Sequence, residues 1–160
     1  MSTDLSLRLT EIFHSLQGEA RTVGRPTVFI RLTGCPLRCT YCDTAYAFEG
    51  GKQHSLDEIL VQVAEHSAEY VTVTGGEPLA QPSAIQLMEA LCDAGYQVSL
   101  ETGGAMPIGD VDERVSIVLD LQTPASGECD RHLLANIPFL RRKDQVKFVI
   151  CYRSDYDWSK

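Results

Sequence analysis

The feature that most limits how this chain can fold is a repeated alternation, roughly every 30 residues, between short β-branched runs and amphipathic stretches. The runs Arg8–Phe13, Thr27–Leu32, Tyr70–Thr74, Gln97–Glu101, Val115–Leu119 and Gln145–Cys151 carry few charges. They read as strands buried on both faces. Strands separated by helices imply right-handed βαβ units and a parallel sheet. A closed eight-unit barrel needs far more chain than 160 residues, which suffice for about five units. The expectation is an α/β fold: one domain over residues 1–160, built as an open, partial (β/α) barrel. Its site should lie at the carboxyl ends of the strands.

The intervening helices are marked by their caps. Ser55-Leu56-Asp57-Glu58 has the spacing in which a serine hydroxyl and a glutamate carboxylate satisfy each other's backbone amides. Leu56, Ile59, Leu60 and Val63 follow as one apolar stripe. Ser83-Ala84-Ile85-Gln86 offers a similar start, with Ala84, Leu87, Met88 and Leu91 as its stripe and Gly95 as its stop. A third helix is expected over His132–Leu140, and Ser154 is placed to cap a fourth.

A formal net charge of −8 opposes binding to a phosphate backbone, so no direct nucleic-acid partner is expected. No run of about 18 apolar residues offers a membrane span. Met1–Leu9 lacks a cationic-then-apolar leader pattern, which points to the cytoplasm. In that reducing compartment the six cysteines read as thiols or metal ligands rather than disulfides.

Three of them stand on one loop, directly after the Thr27–Leu32 run: Gly34-Cys35-Pro36-Leu37-Arg38-Cys39-Thr40-Tyr41-Cys42-Asp43. Spacings of three and two residues let a loop wrap an iron–sulfur cubane, each thiolate reaching a different iron. Three ligands leave the fourth iron open, as a catalytic centre requires. A zinc site completed by Asp43 or His54 is an alternative, although structural zinc usually takes paired Cys-x-x-Cys units. Three unrelated buried thiols are another.

The run Thr72-Val73-Thr74-Gly75-Gly76-Glu77-Pro78 follows the Tyr70–Thr74 strand. Two glycines let a backbone approach a ligand closely, and the Glu77 carboxylate suits an ammonium group. A simple strand-to-helix turn is the competing reading.

Together, Cys-x3-Cys-x2-Cys with an aromatic before the last cysteine and the Gly-Gly-Glu turn resemble the signature of the radical S-adenosylmethionine superfamily. Further matches are Glu11-Ile12-Phe13-His14-Ser15-Leu16-Gln17-Gly18-Glu19, Val28-Phe29-Ile30-Arg31-Leu32-Thr33-Gly34-Cys35, Cys42-Asp43-Thr44, Glu101-Thr102-Gly103 and Val146-Lys147-Phe148-Val149-Ile150. These resemble the 7-carboxy-7-deazaguanine synthase family along nearly the whole chain.

The resemblance implies a lyase of the queuosine and deazapurine pathway. It would contract 6-carboxy-5,6,7,8-tetrahydropterin to 7-carboxy-7-deazaguanine with loss of ammonia. Its cofactors would be a [4Fe-4S] cluster on Cys35, Cys39 and Cys42, S-adenosylmethionine and Mg2+. It further implies a flavodoxin- or ferredoxin-type electron donor and a homodimer. Carried over position by position, Leu16, Gln17, Gly18, Glu19 and Thr74 would contact the pterin. Arg31 would clamp its carboxylate, a task suited to a planar two-pronged donor; otherwise Arg31 is an ion-paired strand-end residue. Thr44 would ligate Mg2+, which keeps its waters and draws on substrate oxygens. Gly75, Gly76, Glu77, Asp120, Leu121 and Gln122 would bind S-adenosylmethionine.

Two departures stand out. The family's cofactor-binding segment at 120–122 usually ends in Lys, where Gln122 stands here. The chain also stops at Lys160, inside an apparent helix start and several tens of residues before the family's usual end. It is therefore expected to be a fragment truncated at the C-terminus, or to complete its pocket through a partner subunit. The rival readings are a glycyl-radical-activating enzyme, a non-catalytic metal-binding module and an inactive truncated paralogue. His14, His54, His66 and His132 read as structural or surface residues, and Cys92 and Cys151 as buried thiols.

Overall fold

A computed structural model describes residues 5–160; the first four residues of the Met1–Leu9 stretch read for a leader lie outside them. The elements are β1 (Ser6–Leu16), β2 (Pro26–Leu32), β3 (Lys52–Ser55), α1 (Leu56–Ala64), β4 (Tyr70–Gly75), α2 (Ala84–Asp93), β5 (Gln97–Thr102), β6 (Ser116–Asp120), β7 (Gln145–Lys147) and α3 (Arg153–Trp158). One seven-stranded sheet runs in the order β3-β1-β2-β4-β5-β6-β7 and is not closed. The expected α/β class and open barrel hold. No helix among the described residues is long and apolar enough to cross a membrane.

Only part of the sheet is parallel. β2, β4, β5, β6 and β7 run together, but β1 pairs antiparallel with both β2 and β3. β3 is an edge strand absent from the sequence reading, because Lys52-Gln53-His54-Ser55 has no apolar residue to mark it. β1 also runs three residues beyond Phe13, and β7 ends at Lys147 rather than Cys151.

The central strands β2, β4 and β6 are buried on both faces over most of their length, as expected, whereas β1 and β5 alternate buried with partly exposed residues. One face carries Val28, Ile30, Leu32, Val71, Val73, Val98, Leu100, Ile117 and Leu119, packed into one core with Ile59 and Val63 of α1 and Leu87, Met88 and Leu91 of α2. On the other face, register aligns Glu11 with Arg31, Phe13 with Phe29, Arg31 with Thr74, Thr72 with Ser99 and Asp120 with Lys147. Period-2 alternation therefore divides the strands between an apolar core and a more polar opposite face.

At the start of α1 the predicted capping box forms: Glu58 N donates to Ser55 Oγ at 3.2 Å, and Ser55 N donates to Glu58 Oε2 at 2.9 Å. Ser83 precedes α2 but makes no side-chain cap, because its own backbone is already helical. The helix expected over His132–Leu140 is replaced by one 3-10 segment, Leu134–Phe139, which contains Pro138. Proline lacks an N–H and cannot sustain an α-helix interior. α3 opens after Tyr152, not at Ser154; Asp155 Oδ2 accepts the Cys151 and Tyr152 amides, each at 3.0 Å. Cys92 is half-buried, whereas Cys151 is exposed, contrary to expectation.

Candidate active site

The polar sheet face and the loops at its carboxyl end enclose a cavity of about 470 Å3, within the range of small-molecule sites. Every residue that the family resemblance assigned to the site lines it except Leu16 and Leu121. Leu16 ends β1 and is 63% exposed, while Leu121 turns into the core. Strand-like alternation accounts for Leu121, since its neighbours Asp120 and Gln122 both face the cavity.

Cys35, Cys39 and Cys42 reach the cavity from the loop after β2 as free thiols. Burial, with Cys35 and Cys42 close by, pushes the Cys39 thiol up to about 11, and burial raises Cys35 as well. At Cys35 burial outweighs the nearby Arg38 charge; ligation by a metal centre would favour the charged form of both thiols. Cys39 Sγ donates to Gln122 Oε1 at 3.2 Å, and Tyr41 Oη donates to the same oxygen at 3.1 Å. The neutral Gln122 thus gathers two members of the loop. Among the described residues, no three His, Cys, Asp or Glu side chains converge on one ion. His54 faces Glu58 and Gln62 on the β3 side, so it does not complete a zinc site with the cysteines. The donor set fits a cluster that spreads three sulfurs over separate irons.

The Gly-Gly-Glu turn is joined to the cysteine loop through the backbone. Gly76 N donates to Leu32 O at 3.2 Å, and Glu77 N donates to Gly34 O at 2.8 Å. A Cβ at position 76 would fall 2.9 Å from Cys35 Cβ and closer still to the Gly34 carbonyl, so only glycine fits. The Glu77 carboxylate is 1% exposed. It accepts Thr102 Oγ1 at 2.8 Å, Gly103 N at 2.9 Å and Leu79 N at 3.1 Å. Burial raises its carboxyl above the ordinary range despite these donors, and a cation in the cavity would favour its charged form.

Arg31 is fixed by its cross-strand partner: Nε donates to Glu11 Oε1 at 2.7 Å. Tyr46 Oη donates to the same oxygen at 2.8 Å. The guanidinium lies 5.7 Å from the centres of both the Phe13 and Tyr46 rings, and Phe13 stacks on Phe29 at 4.9 Å. Burial works against ionised Glu11, but the bonds from Arg31 and Tyr46 hold its carboxyl below the usual range.

The loop after β1 enters from the opposite end of the sheet. Gln17, 5% exposed, donates through Nε2 to Thr72 Oγ1 at 3.2 Å and Glu101 Oε1 at 3.4 Å. Thr74 Oγ1 donates to Glu101 Oε2 at 3.0 Å. Lys147 Nζ bridges Glu19 Oε2 at 2.6 Å and Asp120 Oδ2 at 3.2 Å. Burial raises the Asp120 carboxyl although Lys147 pulls it down, and its Oδ1 is buried without a partner. Thr44 Oγ1 lies 3.7 Å from Cys42 Sγ.

Sequence reasoning missed several lining residues: Glu11's partner role behind the wall, and Phe13, Glu101 and Lys147 on it. Glu101 and Lys147 stood within recognised runs but carried no spacing signal of their own. Their place becomes visible only once strand register is known.

The chain resembles known proteins in both sequence and shape. A family model described as the radical SAM superfamily matches residues 29–124. A 7-carboxy-7-deazaguanine synthase from Chlorobaculum tepidum is 42% identical, the match covering 100% of this chain and 74% of that protein. One from Koribacter versatilis is also 42% identical, over 96% of this chain and 69% of that protein. The crystal structure of QueE from Escherichia coli superposes with a TM-score of 0.79 at 23% identity, covering 95% of this chain and 75% of that one.

Proposed function

Because the chain belongs to the radical SAM superfamily, and within it to the 7-carboxy-7-deazaguanine synthases, we propose that its cavity holds a cluster, S-adenosylmethionine and a carboxylated tetrahydropterin together. The protein is a lyase that contracts 6-carboxy-5,6,7,8-tetrahydropterin to 7-carboxy-7-deazaguanine with loss of ammonia. The observation that carries this reading is the convergence of three free thiols, the Gly-Gly-Glu turn and Arg31 on one cavity. When bound, the [4Fe-4S] cluster and S-adenosylmethionine supply the radical that removes a hydrogen atom from the substrate.

The chain's own residues bind and orient. Cys35, Cys39 and Cys42 hold the cluster. Gly75 and Gly76 would bring backbone close to the cofactor, and buried Glu77 would offer a counter-charge to its ammonium group. Asp120, with its unpartnered oxygen, and Gln122 form the far wall. Arg31 offers its terminal nitrogens to the substrate carboxylate. Gln17, Gly18 and Thr74 meet the pterin, where an amide and backbone groups match an aminopyrimidinone edge; Glu19 is held at the mouth by Lys147. Thr44 contributes one oxygen to Mg2+, whose remaining ligands are waters and substrate oxygens. The acidic lining, with Glu19, Asp43, Glu77, Glu101 and Asp120 against Arg31 and Lys147, favours a cofactor carrying a sulfonium and an ammonium.

The reading extends to a single domain over residues 1–160, a homodimer in the cytoplasm, and a flavodoxin- or ferredoxin-type electron donor. The decisive experiment is anaerobic: reconstituted protein, reductant, S-adenosylmethionine, Mg2+ and carboxytetrahydropterin. A product with the mass of 7-carboxy-7-deazaguanine supports it. A cluster-loaded protein that leaves the pterin unchanged, while the Chlorobaculum tepidum relative converts it under the same conditions, overturns it.

A further inference from the structure

We infer that Glu11 and Tyr46 are positioning residues that aim Arg31, making the cavity selective for a carboxylate lying in the guanidinium plane. This rests on the carboxylate role proposed for Arg31 and extends it to two residues that touch no substrate.

A guanidinium is rigid and planar, so its free end is oriented by fixing one nitrogen and packing rings beside it. Both constraints are present here. Nε is committed to Glu11 Oε1 at 2.7 Å. Phe13 and Tyr46 each bring an aromatic ring within 5.7 Å of the guanidinium carbon, close enough for cation–π attraction. Glu11 is itself held: Oε1 also accepts Tyr46 Oη at 2.8 Å. The pair originates in the antiparallel ladder, where Glu11 and Arg31 stand directly opposite and cross-strand side chains meet.

What remains of Arg31 is its terminal pair of nitrogens. Among the described residues they have no protein partner in the hydrogen-bond pattern, and they are not sealed off as buried orphans. The side chain is only 13% exposed and lines the cavity. A charged fork in such a place, with one nitrogen spent and two open to the cavity, takes an anion with two coplanar oxygens. The stacked Phe13–Phe29 pair beside it gives a flat apolar wall, which suits a ring bearing that carboxylate. Without Glu11 the guanidinium retains its charge but loses its direction. The loss should therefore fall on carboxylate recognition and not on ring binding.

The test is anaerobic equilibrium binding of two unreactive probes, 6-carboxypterin and unsubstituted pterin, to cluster-loaded protein with S-adenosylmethionine. The quantity read is the affinity ratio between the probes for the wild type, Arg31→Ala, Glu11→Ala, Glu11→Gln and Tyr46→Phe. The wild type should prefer the carboxylated probe, and Arg31→Ala should abolish the preference. Glu11→Ala should reduce the ratio roughly tenfold and Tyr46→Phe roughly threefold, each affecting unsubstituted pterin little. Glu11→Gln should retain part of the ratio, since an amide oxygen still accepts from Nε. If Arg31→Ala lowers the ratio but Glu11→Ala and Tyr46→Phe leave it at the wild-type value, the positioning role is wrong while the clamp survives. If Arg31→Ala leaves the ratio unchanged, the clamp falls and the positioning role with it. Tyr46 is 56% exposed, so its variant keeps the test available should Glu11→Ala fail to fold.

Discussion

Lys147 Nζ sits 2.6 Å from Glu19 Oε2 although 128 residues separate them. The contact ties β7 to the loop that follows β1, both of which line the cavity. Burial works against a charged lysine here, but the charges of Asp120 and Glu19 outweigh it and raise Lys147 above its ordinary value. Lys147→Met would leave Asp120, already short of one partner, without its counter-charge. Because Lys147 and Glu19 are partly solvated, the expected loss is modest, about 1–2 kcal/mol in urea unfolding. Affinity for S-adenosylmethionine should fall in parallel, as calorimetry can check.

Thr102 donates to a carboxylate that is otherwise sealed from water. Thr102→Val keeps the shape and removes the hydroxyl, leaving Glu77 with two backbone donors. The expected cost is about 1–3 kcal/mol of stability. The remaining burial should also push the Glu77 carboxyl further up. Denaturant unfolding above and below neutral pH would detect both effects; no change in either would remove Glu77 from its bridging place between β4 and β5.

Gly76 has no room for a side chain. In Gly76→Ala the new methyl would press on the Gly34 carbonyl and Cys35 Cβ, forcing the cysteine loop outward. Overpacking of this kind costs about 1–3 kcal/mol. Iron per chain after reconstitution should drop well below the roughly four expected of the wild type, as colorimetric iron and sulfide assays would show.

Away from the cavity, Arg114 grips Asp112 with Nη2 to Oδ2 at 2.6 Å and Nε to Oδ1 at 3.0 Å, holding its carboxyl down at about 2. A depressed folded-state value means the stabilisation is complete above the ordinary 3.8 and is lost as pH falls toward 2. Arg114→Ala should return Asp112 toward 3.8. Carbon-detected NMR titration of the carboxyl reads this directly, and the wild type's stability advantage over the variant should be full above pH 3.8 and shrink as pH falls toward 2.

The cysteine loop and the Gly-Gly-Glu turn were legible because their spacing encodes geometry locally: a loop that wraps and a backbone that must lie close. The alternation of strands and helices was legible for the same reason. The direction of β1 was not, since pairing sense is decided by partners distant in sequence. Polar β3 left no periodic signal at all. The helix missing at His132–Leu140 fails for a local reason, Pro138, and a tertiary one. Buried Asn136 donates to the Gly104 and Met106 carbonyls and accepts the Ile108 amide, pinning the segment as turns around Pro138. Glu11 was invisible as a supporting residue because its contact with Arg31 exists only in the antiparallel register. Leu16 and Leu121 were carried along by neighbours whose side chains point the other way.

The bond from Glu77 N to Gly34 O makes the cysteine loop, proposed to bind iron, and the Gly-Gly-Glu turn, proposed to bind the adenosyl donor, mechanically one piece. Stiffening either should stiffen the other, and by reciprocity each ligand should hold more tightly when the other is present. Oxidative loss of the metal would then loosen the sulfonium's seat at the same moment. A damaged molecule would let its adenosyl donor go, leaving none stranded beside a substrate it can no longer attack.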